Sequence, residues 1–269
     1  MVRHYFLTLY DHLGQAVWLN LIWAVASIPW VAAGSAVTWV ASVSAAALGQ
    51  PYLVGSGLVG AGGLVAFSPP TLLLCVATRT WIRGGDSGVR DVWALTRRLA
   101  WRAQAGGLLA TIALTLLLGN ALFYQTWAGW VGIALSGIML WLVFGVALAA
   151  LLLFPVLVDD PELTLHRALR TCALLVLDNL RRCVILGLAS AVCLLSGAAS
   201  GAGLALGAVP AAVLATNLGL MVMMGRYGGA PVEPDPVACV TCCARGRRED
   251  VSPARHRTGD GGHRPSHHR

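Results

Sequence analysis

The chain has 269 residues, 57% of them hydrophobic and only 12% charged, with a formal net charge of +7 and a mean hydropathy of +0.71. That balance lies outside the range of ordinary soluble domains and marks an integral membrane protein. The basic excess does not point to nucleic acid, because no aromatic-interleaved basic patch or reading motif accompanies it.

The charges are segregated. None occurs from Leu13 to Thr78, from Ala103 to Val158, or from Cys183 to Gly225. Since about 20 apolar residues cross roughly 30 Å of hydrocarbon, each of these stretches accommodates two spans. The expectation is an all-α, polytopic transmembrane bundle of about six spans over residues 1–227, followed by a tail at 228–269. A weak spot marks each hairpin: Leu48-Gly49-Gln50-Pro51, then Phe123 to Trp127, then Gly197 to Gly201.

Tyr5, Phe6, Leu9 and Leu13 recur at helical spacing, so residues 3–13 are expected to form an amphipathic helix at the inner interface. The start does not read as a cleaved signal peptide, for want of a small-residue cleavage site after a short apolar region. Span one, residues 15–47, contains Pro29, and a kink or break is expected there. Span two, residues 55–78, contains Pro69-Pro70, which push the residues before them out of the α region, so a bent segment is expected. Such breaks either serve packing or line a solute path.

The next stretch, GGDSGVRDVWALTRRLAWRAQ, sets Val89, Val92, Trp93, Thr96 and Leu99 on one face, with Asp86 or Ser87 as N-cap. It reads as a first interfacial helix with an arginine rim, leading into span three near Gln104. Tyr124, Trp127 and Trp130 sit where the outer aromatic belt belongs. After span four, Phe154-Pro155 is expected to end the helix, and Asp160-Pro161-Glu162 to start a second interfacial helix: cap, proline at the first position, acid in the first turn. That helix would keep Ala168, Leu169, Cys172, Leu175 and Val176 on its apolar side, and run to span five near Arg182. The tail from Gly228, rich in Arg, His, Pro and Gly, is too poor in apolar residues to fold and is expected to be disordered.

All basic segments fall on one side of this arrangement, which places both termini in the cytoplasm and the protein in an inner membrane. Arg90, Arg97, Arg98, Asp160, Arg167 and Arg170 then form a cytoplasmic surface for a protein partner or for anionic lipid headgroups.

Intramembrane proton relays and metal sites need ionisable groups within the spans. The three apolar stretches contain none, and all seven histidines lie outside them. An intramembrane Ser/His dyad or metalloprotease is therefore not expected, nor is any enzyme, resident metal or cofactor. Among neutral polar residues, Asn20 and Asn217 are the candidate intramembrane contacts, since amides in lipid seek partners across helices. Cys239, Cys242 and Cys243 with His256 and His263 resemble a zinc set, but there is no second cysteine pair and the histidine spacing fits no standard finger. A permease-type coupling loop would carry a glycine, and none lies between Asp159 and Asn179.

Three segments resemble the YesL family of bacterial membrane proteins: LGQAVWLNLIWAVASIP, SPPTLLLCVATRTWIRGGDSGVRDVWALTRRLAWRAQA, and LLFPVLVDDPELTLHRALRTCALLVLDNLRR. Family members run from the first proline directly into a later turn, whereas here Pro29 and Pro69 lie 40 positions apart, which implies an inserted hairpin. The resemblance implies a membrane protein encoded beside carbohydrate uptake and degradation genes, without an established activity; in that context the expectation is a non-enzymatic accessory or regulatory partner of sugar importer subunits. The alternative is a small-solute carrier or channel using the kinked spans near Pro29 and Pro69.

Overall fold

In hydrocarbon every backbone N–H and C=O must be paired within the protein, and a helix achieves this inside one segment. The computed structural model describes residues 2–83, 89–126, 129–200 and 207–225, and all regular structure there is helical. The elements are α1 (Val2–Asp11), α2 (Leu13–Ala26), α3 (Ile28–Leu48), α4 (Tyr52–Ala66), α5 (Pro69–Ile82), α6 (Val89–Gln125), α7 (Trp130–Asp159), α8 (Leu165–Asp178), α9 (Leu180–Ala199) and α10 (Ala208–Met224). All belong to one unit, Met1–Pro231. The tail with its Cys/His cluster, the expected caps Asp86 and Ser87, and Trp127 lie outside the described residues.

Among the described residues four helices are long and apolar enough to cross a membrane: α3, α6, α7 and, over Leu180–Gly197, α9. A fifth candidate is α4 with α5, bent by 48° at their junction. The bend follows from the prolines. Ser68, ahead of Pro69, is extended at φ −81° and ψ 157°, and its hydroxyl donates to Val65 O at 2.7 Å. Ser68 is fully buried, so this bond satisfies a polar group that water does not reach.

The break expected near Pro29 falls at Ser27, which places Pro29 in the first turn of α3, where a missing N–H costs no helical bond. In place of one long span over 15–47 there are two helices, and α2 is only 14 residues long. Between the two breaks, α3 and α4 form a hairpin whose turn uses left-handed Gly49, at φ 64°. The chain then returns to where it left: Trp23 Nε1 of α2 donates to Thr71 Oγ1 of α5 at 2.9 Å, and the His12 and Trp81 rings meet edge to face at 5.1 Å.

Glycines let α4 sit close to two neighbours at once. A Cβ at Gly57 would lie 2.4 Å from Ala41 Cβ on α3, and one at Gly63 would lie 2.7 Å from Thr111 Oγ1 on α6. Small residues at such faces allow the close backbone approach from which membrane helices gain their packing energy.

Two expected boundaries are not present. The stretch 89–103 is not a separate interfacial helix but the first turns of α6, which runs unbroken for 37 residues, about 55 Å at 1.5 Å per residue. Nor does Phe154-Pro155 end α7: the helix passes through Pro155 to Asp159. The physical reason is packing. Leu152 through Val158 are all buried, and burial on every side holds a proline-containing turn that an exposed helix would lose.

The core lies where α5, α6, α7, α8 and α10 converge, around Leu72, Leu99, Leu153, Leu157, Cys172 and Met223. Trp18, Trp39, Ile133, Trp141 and Leu188 are exposed, as suits side chains facing lipid.

The tightest approach to the α4–α5 bend is at Gly107 of α6, where a Cβ would lie 2.4 Å from Phe67 Cβ and 2.8 Å from Phe67 O. Gly107→Ala is expected to lower stability by about 1–3 kcal/mol through overpacking against backbone. Gly145→Ala, which meets nothing within 4 Å, serves as control. Thermal unfolding of both variants in detergent checks this; equal melting temperatures would contradict the packing account.

Candidate functional site

The charged residues gather at the turn from α7 to α8. Asp159 closes the last turn of α7, where the negative end of the helix dipole disfavours a carboxylate. Two arginines from the end of α5 offset this: Arg79 pairs with Asp159 through Nη2, and Arg83 Nη2 reaches the same Oδ1 at 3.0 Å. Arg79 is 6% exposed. Its Nε and Nη1 are buried without hydrogen-bond partners, so Asp159 is the neutralising contact for a guanidinium taken out of water.

The loop beyond Asp159 is held from α6. Asp160 does not cap a helix; its Oδ1 accepts the Glu162 N–H at 3.1 Å, forming an Asx turn. The second amphipathic helix therefore starts later than expected, at Leu165, after Thr164 in extended conformation. Pro161 lies in the turn and not at the first helical position. Arg98 pairs with Glu162, and Arg102 Nη1 donates to Pro161 O at 2.9 Å and to Leu163 O at 3.4 Å. Four arginines, two from the end of α5 and two from α6, thus hold the five residues Asp159 to Leu163.

A second polar contact ties α10 to α5. Asn217, fully buried, donates through Nδ2 to Cys75 O at 3.0 Å and to Thr78 Oγ1 at 2.7 Å, while Cys75 Sγ lies 3.5 Å from Asn217 Oδ1. Both faces of the amide are used, as burial in a low dielectric requires. Asn20 is buried on α2, on the same side as Ala16.

The six residues of the expected surface separate into two groups. Arg98 and Asp160 are consumed by the corner. Arg90, Arg97, Arg167 and Arg170 are exposed and form no ion pair among the described residues. On α8 the buried face is Ala168, Cys172, Leu175 and Val176, opposite His166, Arg167 and Arg170. In α1 the inward positions are Tyr5, Thr8 and Leu9, whereas Phe6, and Leu13 at the start of α2, are exposed.

Arg79, Arg83, Arg102 and Asp159 were not singled out as site residues by sequence, and Glu162 was expected only as a first-turn acid. A signal did exist: Arg79 and Arg83 stand one helical turn apart at the end of an apolar run, and Asp159 immediately follows another. A cavity of 400 Å³ near the bend was also not legible. Phe67 and Thr71 line it from the bend, Phe154 and Pro155 from α7, and Ser190 and Thr216 from α9 and α10.

No group of three His, Cys, Asp or Glu side chains able to hold a metal occurs among the described residues. Helices of membrane-crossing length, with a charged corner at the end of two of them, define the class as a multi-helix protein suited to a membrane. No family model, curated protein or solved structure matches the chain.

Removing one member of a buried ion pair leaves the other charge uncompensated, so Asp159→Asn is expected to cost about 3–5 kcal/mol, and Arg79→Met in the same chain to recover most of it. Equilibrium unfolding of the two single variants and the double variant measures this as a coupling; additive losses would contradict it. On α8, burial pushes the Cys172 thiol up to about 12, against an ordinary 9.0. Because only the thiolate reacts, Cys172 is expected to resist alkylation at pH 8 in the folded protein and to react once unfolded, as read by mass spectrometry.

Proposed function

We propose that this chain is a multi-pass inner-membrane protein with both termini in the cytoplasm, acting without covalent chemistry as an accessory or regulatory partner of a sugar importer. The reading counts six crossings: α2–α3, the bent α4–α5, α6, α7, α9 and α10. Counting α10 is possible because 17 residues span about 25 Å, the short end of the usual range. The two amphipathic segments, α1 and α8, lie at the cytoplasmic interface in this reading, and the proposed kinship is with the YesL-type proteins.

The observation that carries it is the division among the arginines. Four are occupied in building the corner, and Arg90, Arg97, Arg167 and Arg170 remain exposed beside it without carboxylate partners among the described residues. Solvated cations fixed on rigid helices suit an acidic surface on a partner subunit and fix its register.

A carrier or channel is the second reading, and the 400 Å³ cavity beside the α4–α5 bend favours it. Its lining is overwhelmingly apolar, with hydroxyls only from Thr71, Ser190 and Thr216. A sugar, which needs a hydrogen-bond partner for nearly every hydroxyl, is poorly matched to that wall. The accessory role therefore fits the sugar context better than transport by this chain alone.

The test is reconstitution. Proteoliposomes holding only this protein are expected to show no uptake of a labelled oligosaccharide, and the wild type to co-purify with importer subunits. Arg97→Glu with Arg167→Glu should lose that co-purification while melting as the wild type does. Saturable uptake by the protein alone, or co-purification untouched by charge reversal, would sink the accessory reading.

A further inference from the structure

Besides the corner and the cavity at the bend, a third feature combines an apolar wall with an uncompensated cation. A groove of 440 Å³ runs between α1, α9 and α10, floored by the buried Leu186 and Leu218, with the exposed Ala189 on its wall. Its rim residues Phe6, Ile185 and Val222 are 60%, 58% and 43% exposed, so it opens outward to the surroundings of the bundle and not into its core. At one end stands Arg182, whose Nη1 is buried and has no hydrogen-bond partner.

That combination is costly as it stands. A buried guanidinium N–H without an acceptor forfeits its hydration, and Arg182 forms no ion pair among the described residues. Among the described residues no acidic side chain lines the groove. The other polar group on its wall, Tyr5, donates its hydroxyl to Ala211 O at 3.2 Å. Its pKa is raised to about 12, first by burial and then by the neighbouring Cys193 thiol, so it stays neutral and supplies no counter-charge. Among the described residues nothing supplies the counter-charge.

We propose that this groove binds one anionic phospholipid, with its phosphate on Arg182 and an acyl chain along the apolar floor between α9 and α10. Arg182 and Cys193, both on the groove wall, are eleven positions apart on α9, about 16 Å at 1.5 Å per residue, which suits an extended chain better than a compact solute. Arg181 is exposed immediately beside Arg182 and adds a second cation at the headgroup end. A planar guanidinium offers phosphate oxygens two parallel donors, which makes arginine the side chain best suited to this contact. A free phosphate would satisfy Arg182 but leave the apolar groove empty, and a neutral lipid would fill the groove but leave the charge. The site is independent of any importer partner, since it involves neither the corner nor Arg90, Arg97, Arg167 and Arg170.

The full-length protein, delipidated in detergent, is mixed with phosphatidylglycerol, phosphatidylcholine or inorganic phosphate and followed by native mass spectrometry. The expected result is a one-to-one phosphatidylglycerol adduct held about tenfold more tightly than phosphatidylcholine, as hydrogen bonds to a charged group allow. Inorganic phosphate should give no persistent adduct. Arg182→Gln should bring phosphatidylglycerol down to the phosphatidylcholine level, and His166→Gln, on exposed α8 surface outside the groove lining, should change nothing. Ala189→Phe, which fills the groove and leaves the charge, should weaken both lipids. Equal retention of the two lipids by the wild type, equal loss in His166→Gln and Arg182→Gln, or no effect of Ala189→Phe would each overturn the site. Should Arg182→Gln not accumulate, the headgroup comparison and Ala189→Phe decide between the outcomes.

Discussion

The pairing of Arg79 with Asp159 is the constraint around which the lower part of the bundle is arranged. A guanidinium that is 6% exposed cannot be left without a counter-ion, and the carboxylate it meets closes a different helix. Satisfying both charges fixes where α5 ends against α7. The short turn to α8 begins from that junction, and its geometry is then settled by Arg98 and Arg102 from α6. Three helices thus share one electrostatic corner. The buried leucines of the neighbouring core pack under positions that the charges have already selected.

The opposite part of the molecule is organised without charge. There α3, α4 and α6 approach one another through Gly34, Gly57, Gly60 and Gly63, with Ala41, Ala61, Thr111 and Thr115 facing them. Dispersion between closely spaced backbones replaces ionic pairing, as it must where hydrocarbon surrounds the helices. The 48° bend joins the two regimes, since α4 belongs to the glycine-rich layer and α5 to the charged one.

Much of this fold could be read from the chain in advance. The charge-free runs located the long helices, and the prolines located both breaks, because each signal is a local property of the backbone or of transfer into lipid. What escaped was set by tertiary contact. Pro155 reads as a terminator in isolation, but burial from Leu152 to Val158 carries the helix through it. Asp160-Pro161 reads as a helix start, yet the Asx turn with Glu162 and the pull of Arg102 on the Pro161 and Leu163 carbonyls hold those residues as a loop. Asn217 stood out as an amide in an apolar run, but its partners, Cys75 and Thr78, lie some 140 positions away and carry no signal of their own. Of the polar surface, its arginine content was legible, whereas the split between engaged and unengaged arginines depends on distances no single sequence contains.

The uninterrupted course of α6 has a mechanical meaning. Arg90 and Arg97 stand in its first turns, Arg98 next to Arg97 and Arg102 a turn later hold the corner, and Gly107 lies against the bend at Phe67. A rod without an internal break transmits tilt along its length, so a partner that displaced the arginine end would lever Gly107 against Phe67, with the corner as fulcrum. The contact that such a motion would load is among the tightest in the bundle, and it lies at the hinge between the charged and the glycine-packed halves of the protein.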